Sequence, residues 1–382
     1  MRGVYLDYNG SAPLDPRAFE AMLPVLTGEP GNASSSHSYG RQQASLVDEA
    51  RAEVASLVGG TRSGVVFTSG ATEANNLALQ GMLGGEQSRL IVSAVEHDSV
   101  RSAASWIADA GLAKIDMAPV TSGGDIDLVA LEDLLGEDVA LVSVMAANGE
   151  TGVLNPIQEI ADLAHHHGAV MHCDATQMVG RLPFDMAILG VDMVSISSHK
   201  ICGPTGAGAL VQGRRIKGRL RPLIHGGGHE NGLRSGSLNV SGIVGFGEAA
   251  RLAAKEHRID SNRISVLRDN LVNCLKRQLD IVEIGDTTKR LPNTASLRFV
   301  NVDGEAIAAN LDPVAVSTGS ACSSGSIEPS HVLLAMGLDR EAADQVVRFS
   351  LGRFTTEAEV EVAVEQTIET VRWLQDMAEG GD

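Results

Sequence analysis

Val170-Met171-His172-Cys173-Asp174-Ala175-Thr176-Gln177 is an apolar run that stops on a carboxylate. A second run of the same kind, Met193-Val194-Ser195-Ile196-Ser197-Ser198-His199-Lys200, stops on an amine and is followed by Gly203-Pro204-Thr205-Gly206-Ala207-Gly208. Short apolar runs bounded by turn residues read as buried strands. The interval between Asp174 and Lys200 suits one helix and a return strand, so both side chains reach the same rim of a parallel sheet. That rim, beyond the carboxyl ends of the strands, is where ligands bind in open α/β folds.

Outward from this pair the pattern repeats. Further strands are expected at 64–69, 89–94, 140–145 and 207–211, besides those at 169–174 and 192–197. Helical spacing over 42–58 closes on Gly59-Gly60, a normal C-terminal stop, and 157–167 reads likewise. The first strand runs through Val66-Phe67-Thr68-Ser69-Gly70-Ala71-Thr72-Glu73-Ala74-Asn75-Asn76, a small-residue turn opening a helix whose free N–H groups suit an anion. From residue 256 the texture changes to a charged helix over 255–279, short strands at 281–284 and 294–299, and a helix near 305–310. A Ser/Gly-rich loop over 317–326 follows, and a last helix opens with the capping box Thr356-x-x-Glu359. The expected organisation is a large α/β domain over 15–255 and a smaller α+β domain formed by 1–14 with 256–382.

Composition excludes several classes. Thirty Lys and Arg against 48 Asp and Glu give a net charge of −18, which disfavours nucleic-acid binding, where phosphates must be neutralised. Seven Phe, three Tyr and two Trp provide little surface for stacking bases. An apolar share of 43% supports a large core and rules out a disordered chain. No apolar run reaches the roughly 18 residues of a membrane helix, and the N-terminus lacks the pattern of a signal peptide. Cysteines at 173, 202, 274 and 322 form no Cys-x-x-Cys pair and suggest neither a disulfide framework nor a zinc finger. A reducing cytoplasm is the expected location.

An amine able to form a Schiff base, an acid able to hold a pyridinium proton and a phosphate cup are the parts a pyridoxal phosphate enzyme requires. Each alone is weak: a lysine after a strand is usually a solvated charge, an aspartate a turn former, and Ser-Gly-Ala-Thr a helix cap. Their order and spacing together carry the reading. No Gly-x-x-x-x-Gly-Lys-Ser/Thr occurs, so a nucleotide P-loop has no support.

With these residues in view the chain resembles the cysteine desulfurases, a branch of the fold-type I pyridoxal phosphate enzymes (aminotransferase class V). The likeness runs nearly end to end through Tyr5-Leu6-Asp7-Tyr8-Asn9, Thr68-Ser69-Gly70-Ala71-Thr72-Glu73, Glu96-His97, Glu150-Thr151-Gly152, Asp174-Ala175-Thr176-Gln177 and Ser198-His199-Lys200. It continues through Gly226-Gly227-Gly228-His229-Glu230, Arg234-Ser235-Gly236-Ser237, Gly319-Ser320-Ala321-Cys322 and Arg348-Phe349-Ser350-Leu351-Gly352-Arg353. The resemblance implies a mainly parallel seven-stranded sheet, with Lys200 holding the cofactor, Asp174 on its ring nitrogen and Gln177 on its phenolic oxygen. It implies that His97 stacks on the ring and shuttles a proton, while Ala71, Thr72, Ser197 and His199 hold the phosphate. Ser237 is expected to reach the phosphate of a second subunit in a homodimer, and Arg348 to clamp the substrate carboxylate. Cys322 is expected to take sulfur from L-cysteine as a persulfide, leaving alanine. The Ser and Gly around it suit a thiol that must approach the cofactor and then deliver sulfur to an acceptor protein, for iron–sulfur assembly or for cofactor or tRNA thiolation.

Three departures stand out. Asn148-Gly149-Glu150 replaces the family's Asn-Asn-Glu, so an amide contact is lost, taken over by Asn148 as a substrate-binding residue, or replaced by water. Gly10-Ser11-Ala12 replaces Ala-Thr-Thr, and the last helix lies close to the C-terminus, where members serving iron–sulfur scaffolds tend to carry a further segment. His165-His166-His167 with His172 and Cys173 reads as a helix end meeting its dipole, with no metal site expected. Alternative readings are a selenocysteine lyase or another β-lyase or aminotransferase of the same class, and a non-catalytic scaffold on the same fold.

Overall fold

The computed structural model describes residues 3–85, 88–318 and 328–379. Seven strands form one sheet in the spatial order Val65–Thr68, Gly208–Gln212, Met193–Ser197, Val170–Asp174, Val139–Ser143, Arg89–Ser93 and Lys114–Ala118. Only Gly208–Gln212 runs antiparallel to its neighbours. The five central strands are almost wholly buried, which explains their predominantly apolar runs: helices cover both faces, so neither side of the strand faces water. Along Val65–Thr68, Val65 and Phe67 enter one apolar core and Val66 the other, on the opposite face.

The strand Lys114–Ala118 was not expected from the sequence. It sits at the sheet's edge, where its Asp116 pairs with Arg89 rather than entering a core. The expected charged helix begins earlier, as a single 37-residue helix, Val240–Lys276. Its first half packs in the core of the large sheet through Ile243, Phe246, Ala249 and Ala250. Its second half enters a separate core through Ile264, Leu267, Leu271 and Leu275, together with Val4 and Leu6. That second core covers an antiparallel sheet in the order Val346–Ser350, Thr294–Phe299, Ile281–Glu283. The N-terminal Val4–Tyr5 pairs with Val314–Ala315 beside it. The last helix, Glu357–Glu379, carries the expected capping box, with the Thr356 N–H on the Glu359 carboxylate at 2.8 Å and the Glu359 N–H on the Thr356 hydroxyl at 3.2 Å.

Candidate active site

Asp174 ends one strand opposite Ser195 of the next, and Lys200 lies in the short turn Ser198–Ile201 just beyond. Both line one cavity of about 380 Å3 at the carboxyl rim of the sheet. His97, Gln177, Ser197, His199, Ala71, Thr72, Asn148 and Arg348 line the same cavity. Ser237 does not; it stands exposed on the surface. Cys322 lies outside the described residues.

The Asp174 carboxylate accepts from Asn75 Nδ2 at 2.7 Å and from the Thr176 N–H at 3.0 Å. The buried Asn75 also donates to Ser99 Oγ at 2.8 Å, and Ser99 Oγ lies 2.9 Å from His97 Nδ1. His97 caps the helix Asp98–Asp109, its Nδ1 accepting the Ser99 N–H at 3.1 Å. With Nδ1 an acceptor, a neutral His97 carries its proton on Nε2. Two titratable neighbours of Asp174 are pushed towards their neutral forms. His172 sits under it between Ser143 and Ser195, and burial lowers its imidazole to about 4. Burial, then the charge of Asp174, raises the Glu96 carboxyl well above its usual range while Oε1 accepts the Met145 N–H at 2.6 Å.

The helix Ala71–Gly81 opens on the cavity without a side-chain cap, so its first N–H groups face an anion-sized opening. Glu73 braces the turn, accepting the Ser69 N–H at 2.8 Å and Arg234 Nε at 2.8 Å. Gly208 is required behind it, since a Cβ there would lie 2.5 Å from the Gly70 Cα. Ser197 Oγ and His199 Nδ1 are 2.9 Å apart; burial, then the charge of Lys200, lowers His199 to about 4.

Lys200 Nζ donates to the carbonyls of Asn9 and Gly10. The Asn9 carbonyl also takes Gln177 Nε2 at 3.0 Å, and Asn9 Nδ2 donates to the Gly149 carbonyl at 2.9 Å. Arg348 reaches the same carbonyl at 3.0 Å and the Asp7 carboxylate at 2.6 Å. Asn148 is committed to its own turn. Its Oδ1 accepts the N–H groups of Glu150 and Thr151, and its Nδ2 points at the Val95 carbonyl and Met145 Sδ. It has no amide hydrogen to spare for a ligand, so it does not replace the group missing at Gly149. Asn9, Asn75 and Arg181, which braces Gln177, are site residues that the sequence reading does not single out; Asn9 lies in the Tyr5–Asn9 motif and Asn75 in the run that opens the anion-binding helix, while Arg181 has no sequence signal.

The histidine run disperses. His165 Nε2 bonds Asp192 at 2.8 Å, and among the described residues no three His, Cys, Asp or Glu side chains gather as metal ligands. Cys202 is buried, and burial raises its thiol to about 11.

An amine and an acid at neighbouring strand ends, an imidazole and an open helix N-terminus around one cavity make this an α/β enzyme active site. The description of the aminotransferase class-V family matches residues 4–362. A cysteine desulfurase IscS of Anaeromyxobacter sp. (strain K) is 44% identical over 380 residues, 98% of this chain and 94% of that protein. A mitochondrial cysteine desulfurase of Arthroderma benhamiae is 40% identical, over 99% of this chain and 76% of that one. The solved structure of a NifS-like protein superposes with a TM-score of 0.91 at 34% identity, over 97% of this chain and all of that one. The chain belongs to the aminotransferase class-V family and, within it, to the cysteine desulfurases.

Proposed function

We propose that this protein takes sulfur from L-cysteine with pyridoxal phosphate bound in the described cavity and passes it through Cys322 to an acceptor protein. What carries the reading is the meeting of Lys200, Asp174, His97 and Gln177 around one cavity with an uncapped helix N-terminus. The donor set fits the cofactor: N–H groups and hydroxyls for a phosphate, a carboxylate for a ring N–H, and an amide N–H for a ring oxygen. When bound, pyridoxal phosphate supplies a carbonyl for amines and a ring that draws electrons from the substrate's α-carbon.

Lys200 is the amine held at the site, and Asp174 keeps a proton on the ring nitrogen. Gln177 donates from Nε2. Ala71, Thr72, Ser197 and His199 surround the phosphate, with Ser237 supplied by a second copy in a homodimer. The helix Pro16–Thr27, which exposes Phe19, Leu23 and Leu26, supports such pairing. His97 Nε2 is the nitrogen placed to move a proton. Arg348 takes the substrate carboxylate in a planar, forked contact. The Cys322 thiolate attacks the substrate sulfur: an S–S bond forms, the C–S bond breaks, and the β-carbon takes a proton. Cysteine plus thiol thus becomes alanine plus persulfide with no external oxidant. The division into a large domain, 15–255, and a small one, 1–14 with 256–382, is part of this reading, its boundary falling within Val240–Lys276.

Purified protein given L-cysteine and a reducing thiol is expected to release alanine and sulfide in equal amounts, and mass analysis to find one extra sulfur on Cys322. Pyruvate and ammonia in place of alanine would overturn the reading in favour of a lyase.

A further inference from the structure

Arg181 is a part-buried arginine whose bonds all go to neutral oxygens. Its Nη1 donates to the Gln177 carbonyl at 2.6 Å and to Gln177 Oε1 at 2.5 Å, and its Nη2 to the Tyr8 carbonyl at 3.3 Å. Among the described residues, the charged and titratable groups around it offer no carboxylate of its own. Asp260, on the same small cavity, is bonded by Arg353 Nε at 2.8 Å, and Arg348 and Lys200 are further cations. Burial keeps the nearby Cys202 and Tyr8 protonated, raised to about 11 and about 12. A cation left without a counter-charge invites an anion.

The same contact settles the amide of Gln177. Its oxygen faces the guanidinium and its nitrogen faces the Asn9 carbonyl at 3.0 Å; a flipped amide would set oxygen against oxygen and N–H against N–H. The nitrogen is therefore the donor end of an amide on a residue that lines the cavity. Resting on the proposed cofactor, we propose that Arg181 is a positioning residue: it locks the Gln177 amide as a donor and sets an uncompensated positive charge behind the cofactor's phenolic oxygen. A positive charge there favours the oxygen's anionic form and opposes protonation of the Lys200–cofactor linkage.

The test is the absorbance–pH titration of the holoenzyme's bound cofactor, in the absence of substrate. Arg181→Gln and Arg181→Met remove the charge, and Gln keeps an amide donor for the same carbonyls should Met fail to fold. Both are expected to raise the titration midpoint by about one unit, with Arg181→Lys within about half a unit of wild type. Cofactor retained by the Lys variant but lost from both neutral ones would also support the proposal. A wild-type midpoint in the Gln variant, or cofactor lost from all three, would overturn it. A wild-type protein with no cofactor band would instead overturn the proposed function itself, and this inference with it.

Discussion

Arg348 donates to the carboxylate of Asp7 at 2.6 Å, and its buried Nε has no partner among the described residues. This pairing and the bond to the Gly149 carbonyl fix the guanidinium at the cavity before any substrate arrives. Arg348→Lys keeps the charge but loses the fork. Steady-state kinetics should show KM for L-cysteine rising roughly ten- to hundredfold with a smaller change in kcat, the size of one lost charge-assisted contact. A wild-type KM would remove Arg348 from carboxylate binding.

Gly149 leaves a gap where a Cβ would lie 3.1 Å from Gln177 Nε2, close enough that the amide must give by a few tenths of an ångström. Because Asn148 has no amide hydrogen to spare, an added side chain is the way to restore the missing contact. Gly149→Asn should lower KM for L-cysteine several-fold; an unchanged KM would show that the gap costs nothing.

Asn75 is the only side-chain donor to Asp174 among the described residues, and it also bonds Ser99 under His97. Asn75→Ala leaves buried acceptors without a partner, a loss of about 1–3 kcal/mol. The apo-protein should melt earlier, and the cofactor should dissociate about tenfold more readily in equilibrium dialysis. Unaltered melting and retention would mean that Asp174 is held by its backbone contact alone.

Burial pushes the Glu150 carboxyl up to about 7 from its ordinary value of 4.5, although Ser330 Oγ bonds it at 2.5 Å. The folded state therefore holds this proton more tightly than the unfolded state does. The stability that follows is complete below about 4.5 and is lost as pH rises through about 7. Glu150→Gln, which keeps a neutral side chain, should match wild type at acid pH and exceed it by about 1–3 kcal/mol at pH 8 in urea unfolding. A constant difference across that range would count against a titrating Glu150.

Cys173 and Cys202 are buried, and burial raises both thiols, so neither is a thiolate near neutral pH. Iodoacetamide on the folded protein at pH 8 should leave both unmodified and alkylate Cys322. Labelling of Cys202 at a comparable rate would make it a candidate second sulfur carrier.

Strands buried on both faces were legible in the sequence because they are mostly apolar, with only small or internally paired polar residues such as His172, Ser143 and Ser195 among them. Lys114–Ala118 escaped because an edge strand alternates and carries charge. The start of the long helix at Val240 was hidden by Gly242, Gly245 and Gly247, residues that read against a helix. Packing outweighs that propensity, since a Cβ at Gly247 would lie 2.6 Å from the Ala50 Cα of the helix Ser38–Leu57. At the site, Lys200 and Asp174 declared themselves by ending strands. Asn75 and Arg181 did not: an amide inside a helix and an arginine after a turn become informative only when the fold brings Asp174 and Gln177 to them.

The Asn9 carbonyl that receives both Lys200 and Gln177 comes from the N-terminal segment, whose own backbone is anchored on Ser350 and on the second core. The amine thus rests on carbonyls that come from the N-terminal segment and not from the sheet that carries it. Whatever loosens the hold of Ser350 on that segment also loosens the lysine's perch, so its readiness to react depends on a contact far from it in sequence.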